Sequence, residues 1–256
     1  MNEEQANWAE YLELAAVDDP VKPCLDADRT VTEAQAYAVL KQRCLLRPAD
    51  PVVGFKGALT NSKVQATFGA TQPVLGLLFE SGDETGSSIK AEDYKRGMIE
   101  TELGFCVGAS ISEPLHHVEQ LSAVIASTCL MVEFVDLAFS EFPPSLADLI
   151  MHNAAGKAFV RGESQPFNAA AEDALAGLKL RLEMMQSNLH EAYASDVLGD
   201  QRQGLLWMIN AAIARGFTIE PGHYFMTGSV GEVHALQVGT YALTCQGYET
   251  LTFTVV

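Results

Sequence analysis

The period of the hydrophobic positions changes along the chain, and each change marks an element. In residues 3–16, Trp8, Tyr11, Leu12 and Ala15 recur at intervals of three and four, the spacing of one helical face. A second helix is predicted to start at Thr32, whose hydroxyl can cap it, with Glu33 in the first turn; it continues through AQAYAVLKQRCLL and stops before Pro48. VVGFKGAL then has the look of a strand running into a glycine-containing turn, and segment 75–97 carries several turn signals, GDETGSS among them. From Met98 the period becomes two. In MIETELGFCVG, Ile99, Thr101, Leu103, Phe105 and Val107 point one way and Glu100, Glu102, Gly104 and Cys106 the other, which predicts a strand with both glutamates on one face. CLMVEFVDLAF, residues 129–139, is an apolar run with two charges, the expected look of a buried strand, although periodicity alone does not exclude a helix.

The later part is mixed. Residues 174–189 fit period two through Leu178, Leu180, Leu182 and Met184, and equally a helical stripe through Leu175, Leu178, Leu182 and Met185. QGLLWMINAAIARG, residues 203–216, predicts a helix with Gly216 as its stop. FTIE, a turn at Pro221-Gly222, HYFMTGS, and closing strands through YALTC and TLTFTVV around Gln246-Gly247 complete the chain. The sequence shows no internal repeat or low-complexity linker. These elements predict an α+β protein: a helical N-terminal region, 1–75, packed on a β body, 76–256, the two able to count as one domain.

Composition narrows the partners. Hydrophobic residues make up 48% and charged ones 19%, enough for a sizeable core. The formal charge of −17, from 33 acids against 16 bases, opposes nucleic acid and anionic membranes and favours cations, or anions gathered by a metal. Five cysteines, at 24, 44, 106, 129 and 245, are odd in number and never form a CxxC pair, which argues against a disulfide framework and a zinc site. The N-terminus, MNEEQANWAEYLELA, lacks an apolar signal core, and no run of eighteen apolar residues exists to span a membrane. A cytoplasmic protein is expected.

Glu133 stands inside an apolar run, where a carboxylate is costly unless it is paired, neutralised or bound to a cation. If Glu133 converges with Glu100 and Glu102, the three raise one another's pKa, and a divalent cation reverses that effect. An all-oxygen set of this kind suits Mg²⁺ or Mn²⁺ better than zinc. Spacing alone leaves two other readings open: a solvated ExE face, and a salt bridge from Glu133 to a lysine or arginine.

GFKGALTNSKVQATFGATQPVLGLLF, residues 54–79, resembles the GxKxGLTS…Q…G…QPxxG segment of the 2-keto-4-pentenoate hydratase and 2-oxo-3-hexenedioate decarboxylase family, part of the fumarylacetoacetate hydrolase superfamily. IETELGFCVGASI is similar to that family's ExE strand, MVEFVDLAF to its LEIVDSR strand, and HNAAGKAFVRG to its DNAS…FVLG segment. VLGD…WMINAAIARGFTIEPGHYFMTGS is similar to LGxP…WLAN…G…GD.VLTG. The similarity runs from about residue 30 to the C-terminus. It implies a twisted, rolled mixed β-sandwich with helices outside, assembled as a dimer or larger homo-oligomer. It implies Glu100, Glu102 and Glu133 as metal ligands for Mg²⁺ or Mn²⁺, Lys56 as the active-site lysine, and Thr60, Thr227 and Gly228 at the substrate pocket. The activity implied is that of a hydratase or decarboxylase acting on a small 2-oxo acid, with acylpyruvate hydrolysis or a non-catalytic binding paralogue as alternatives. Departures accompany the matches. Val74 stands where the family has Asp in QPDxG, the arginine of DSR falls at Leu137 or Ala138, and DNAS becomes HNAA, with His152 for the acid and Ala155 for the serine. His152 is a candidate for proton transfer near neutral pH or a helix-end histidine bonded to backbone. His116 and His117 are expected to face solvent, Asp136 to support structure, and Cys106 to fill space.

Overall fold

Glu3–Ala15 and Glu33–Leu46 form the two helices predicted from the three-and-four spacing, in a computed structural model that describes residues 3–15, 20–23 and 31–256. Ala16, at the end of the first predicted helix, and Cys24 lie outside the described residues. The second helix starts as its sequence dictates. Thr32 accepts from the Gln35 N–H while the Gln35 side chain accepts from the Thr32 N–H, so two otherwise orphaned donors are satisfied together. The two helices pack on each other, and Arg43 joins them to the body: its guanidinium meets Glu13 at 2.5 Å and donates to the Met151 carbonyl at 2.7 Å. The Tyr37 hydroxyl accepts from the buried Leu75 N–H at 2.8 Å.

Among the described residues the strands make two mixed sheets. The main path of the larger runs in the order Val74–Phe79, Val52–Ala58, Tyr224–Met226, Gly97–Val107, Ile125–Asp136, Gly156–Arg161. Its second and third strands are parallel and the other neighbours antiparallel. The smaller sheet runs Ser88–Ile89, Leu251–Val255, Gly239–Cys245, Lys179–Met184, Ser187–Tyr193. The sheets meet face to face, with Phe134 edge-on to Phe253 at 5.4 Å and Tyr241 stacked on Phe253 at 4.9 Å. Ile99, Leu103, Phe105 and Val107 are all buried, as period two requires.

Three ambiguities resolve in physical terms. The run from 129 is a strand through Asp136 because it is hydrogen-bonded on both sides, to the Glu100 strand and to Gly156–Arg161. In 174–189 the period-two pattern prevails. Leu180 and Leu182 are buried on a strand paired with Gly239–Cys245, and the chain reverses at Met185 and Gln186, both with positive φ. A division at residue 75 corresponds to no boundary in the sheets: it would cut the strand Val74–Phe79, and Val52–Ala58, on its N-terminal side, is an inner strand of the larger sheet. The helices Glu3–Ala15 and Glu33–Leu46 are what precede that sheet.

Replacing Tyr37 by Phe leaves the Leu75 N–H buried without its acceptor. Urea denaturation is expected to show a loss of about 1–2 kcal/mol with an unchanged m-value.

Candidate metal centre and substrate cleft

Glu100 and Glu133 are paired directly across two antiparallel strands, so their side chains leave the sheet on the same face. Glu102, two residues on, shares that face. The three residues offer carboxylate oxygens that all lie within 4.8 Å of one another. Glu102 and Glu133 are buried, and Glu100 is half-buried. A third strand brings Lys56, 1% exposed, whose Nζ lies 2.7 Å from Glu133 Oε1 and donates to the Ala154 carbonyl at 2.7 Å. The salt bridge to Glu133 and the acidic cluster therefore coexist.

Glycines make room for this concentration of side chains. Gly76 faces Lys56 in register, and a Cβ there would lie 2.7 Å from Lys56 Cε. At Gly156 a Cβ would lie 2.9 Å from Glu133 Oε1. Gly228, at φ +113°, turns its N–H onto Glu102 Oε2 at 2.7 Å, and a Cβ there would strike Thr60 at 2.5 Å. Thr227, fully buried, donates its hydroxyl to Gln201 Oε1, which ties this turn to the helix Gln201–Ala214.

The charges are unbalanced. Burial raises the pKa of all three carboxyls, and for Glu100 and Glu102 the charge of Glu133 raises it further; Glu100 is pushed up to about 7. Lys56 opposes the rise in each case. Glu102 Oε1 is buried and meets no donor among the described residues. A hard divalent cation fits such a site: the donors are all oxygen, they converge, and one of them lacks any other partner.

Glu100, Lys56, Thr60 and Ser229 line one cleft of about 640 Å³, beside the turn made by Thr227 and Gly228. The structure thus brings together seven of the eight residues singled out in the sequence. It does not bring His152 to them. That side chain lines a separate cavity of about 230 Å³ with Arg43, Arg47 and Asp136, and its ring packs on Phe139 at 5.2 Å. Burial first, and then the charge of Arg43, hold its pKa down to about 3, so the ring stays neutral where proton transfer would be needed. Val74 is buried opposite Ala58. Asp136 accepts from the Lys95 and Arg96 backbone N–H groups, the supporting role expected of it. His116 and His117 are exposed, and Cys106 is half-buried.

Three contributors carried no role in the sequence. Asn153, Ala154 and Ala155 all have positive φ, at 57°, 48° and 60°. This reversal aims the Ala154 carbonyl at Lys56, and it is secured by the Asn153 amide, which accepts from Leu77 N–H at 2.7 Å and donates to Leu77 O at 2.9 Å. The signal available was an asparagine, which tolerates left-handed backbone, one turn before a glycine. Ser229 has a buried hydroxyl without a partner among the described residues, and only its place after Gly228 hinted at it. Gln201 offered no signal.

Fold and site together are those of a rolled β-sandwich with a carboxylate cluster on its larger sheet. Solved structures share the fold. 4-Oxalocrotonate decarboxylase from Pseudomonas putida G7, complexed with magnesium and adipate, superposes with a TM-score of 0.91 at 21% identity over 100% of this chain and 98% of that one. A fumarylacetoacetate hydrolase family protein from Yersinia pestis CO92 gives 0.60 at 15% identity over 79% of this chain and 92% of that one. In sequence, the chain is similar to 2-keto-4-pentenoate hydratase 2 of Dechloromonas aromatica (strain RCB), at 24% identity over 90% of this chain and 89% of that protein. It is likewise similar to 4-oxalocrotonate decarboxylase of Pseudomonas sp. (strain CF600), at 27% identity over 87% of this chain and 85% of that protein. No protein-family model matches the chain. The resemblance read from the motifs is thereby borne out over nearly the whole length: the relatives in sequence are named hydratases and decarboxylases, and the fold is that of a solved decarboxylase.

Two outcomes follow from this geometry. Glu100 is protonated in the folded state and ionised in the unfolded state between its ordinary value of 4.5 and about 7. The metal-free protein should therefore lose stability as pH rises through that window, Glu102 and Glu133 acting in the same direction. Thermal melts in chelator are expected to fall in Tm across it, and saturating Mg²⁺ to flatten the dependence. Asn153→Ala removes both bonds to Leu77 and is expected to cost about 2–4 kcal/mol in denaturant unfolding.

Proposed function

We propose that this protein is a divalent-cation-dependent lyase, a hydratase or decarboxylase acting on a short 2-oxo or 2-hydroxydienoic acid of the kind released by aromatic ring cleavage. The observation that carries the proposal is the convergence of Glu100, Glu102 and Glu133 beside buried Lys56, in a fold shared with a decarboxylase of such acids. The three carboxylates would hold Mg²⁺ or Mn²⁺, which when bound supplies Lewis acidity to the carboxylate and 2-oxo oxygens of a chelated substrate. The chain's own groups supply orientation and proton control. The Gly228 N–H fixes one oxygen of Glu102 and leaves the other for the cation. An ammonium has three donors, and Lys56 commits two, to Glu133 and Ala154. The third is available in the cleft, to hold negative charge developing as the 2-oxo acid tautomerises or to deliver a proton. Ser229 and Thr60 line the same cleft and can hydrogen-bond a bound acid. His152 serves the packing of the neighbouring loop and stays outside the chemistry.

A homo-oligomer in the cytoplasm belongs to the proposal. Leu14, Leu45 and Leu46 expose apolar surface on the N-terminal helix pair, which supports contact between chains. Cys44, Cys106, Cys129 and Cys245 are free, which supports a reducing compartment. Among the described residues no helix is long and apolar enough to cross a membrane.

One observation favours a second reading. Val74, buried and inert, replaces the acid of the family motif, as it would in a paralogue that binds cation and oxo acid without turnover. Protein loaded with Mg²⁺ or Mn²⁺ is expected to convert at least one of a panel of 2-hydroxydienoates, 2-oxohexenedioate and acylpyruvates, followed by dienol absorbance. Glu102→Gln should lose cation affinity and turnover together, by more than the roughly 10–100-fold typical of changes one shell further out. Cation binding with silence across the panel would favour the second reading, and turnover that survives Glu102→Gln would remove the assigned site.

A further inference from the structure

Beyond the polar groups Glu100, Lys56, Thr60, Asn61, Asp196 and Ser229, the walls of the cleft are apolar. Met98, Val135 and Leu137 extend the face that carries the carboxylates. Val64 and Phe68 come from the short helix Ser62–Thr67 and its end, and Phe142 meets Phe68 edge to face at 6.3 Å. Val64 and Phe142 are 43% and 47% exposed, so this wall has apolar surface left to cover.

The charge distribution sharpens the point. Lys56 is the only basic residue among the described residues lining the cleft, and two of its three donors are committed to Glu133 and Ala154, at the carboxylate end. Asp196 adds a negative charge to the wall. Where the VDSR motif carries arginine, this chain has Leu137 or Ala138, and Leu137 lines the cleft. A second carboxylate brought into this region would exchange water for apolar carbon and an acid; the Arg96 guanidinium is laid over the Phe142 ring, 4.7 Å from its centroid, and does not itself line the cleft. An alkyl or aryl tail would gain burial instead.

On the lyase reading of the site, we infer that the cleft selects monocarboxylic 2-oxo or 2-hydroxydienoic acids bearing an apolar tail and discriminates against dicarboxylic ones. The metal-binding end of the substrate is common to both classes. The choice is made by the wall of Met98, Leu137 and Phe142, and against charge by Asp196.

2-Oxohexanoate and 2-oxoadipate have the same chain length and differ in ending with a methyl or a carboxylate. Calorimetric titration into the Mg²⁺-loaded full chain is expected to give at least about tenfold tighter binding of 2-oxohexanoate. Affinity should rise about fourfold per methylene from 2-oxobutanoate to 2-oxohexanoate. Asp196→Arg should shift the ratio toward 2-oxoadipate by about tenfold, a change in preference that a general structural effect would not produce. Equal or tighter binding of 2-oxoadipate, or an affinity independent of tail length, would overturn the inference while leaving the lyase reading in place. Carbon dioxide release from 2-oxohex-3-enedioate that outpaces turnover of alkyl-tailed 2-hydroxydienoates would overturn it too. If the protein binds the cation and neither oxo acid, the lyase reading fails first.

Discussion

Three acids buried together, with one ammonium among them, are the constraint to which the larger sheet answers. Carboxylates brought within 4.8 Å of one another and away from water resist ionisation, and Lys56 offsets only part of their mutual repulsion. The exact pairing of Glu100 with Glu133 fixes the convergence, because a slip of one residue would send one of them to the opposite face, among Phe134 and Phe253. Gly76 and Gly156 keep the space open, and Gly228 contributes a backbone donor where a side chain would collide with Thr60. What is left over, an unpartnered oxygen on Glu102 and an excess of negative charge, is the chemical specification of a cation site.

Around that site the proton-handling groups differ from those of the family the chain resembles. Val74 replaces an acid, Leu137 or Ala138 an arginine, and His152, which replaces another acid, is buried and neutral in a separate cavity. Lys56 is the basic group that lines the cleft, so the proposed lyase chemistry would concentrate its acid–base work there and on the carboxylates. The carboxylate cluster and the sheet beneath it are maintained while their surroundings change. A cation centre can serve several reactions of 2-oxo acids, so the surroundings decide which one occurs.

The glutamate strand was legible because period two is a direct imprint of a pleated sheet, and the capping box at Thr32 because its residues satisfy each other locally. Lys56, Thr60, Thr227 and Gly228 were legible only through motif resemblance, since nothing in their own spacing points to a shared cleft. The hairpin at 179–193 and the inner position of Val52–Ala58 were not legible, because both depend on partners elsewhere in the chain: Gly239–Cys245 for one, Tyr224–Met226 for the other. His152 shows the converse failure. A titratable residue in a matched motif attracts a chemical role, yet His152 closes the helix Leu146–Met151 and its ring lines the cavity of Arg43 and Asp136, a placement that no period reveals. Asn153, its neighbour, carries the structural importance instead.

The site also has a kinetic signature built into its wiring. Lys56 meets a carbonyl 98 positions away, and Glu102 a backbone donor 126 positions away, so the centre is stitched from residues as far apart as 56 and 228. Contacts of such long sequence separation form only after loop closure over most of the polypeptide, which slows assembly. No contiguous fragment short of that span can hold the trio and the lysine together, and during synthesis the centre comes into being only once the Gly228 turn has left the ribosome.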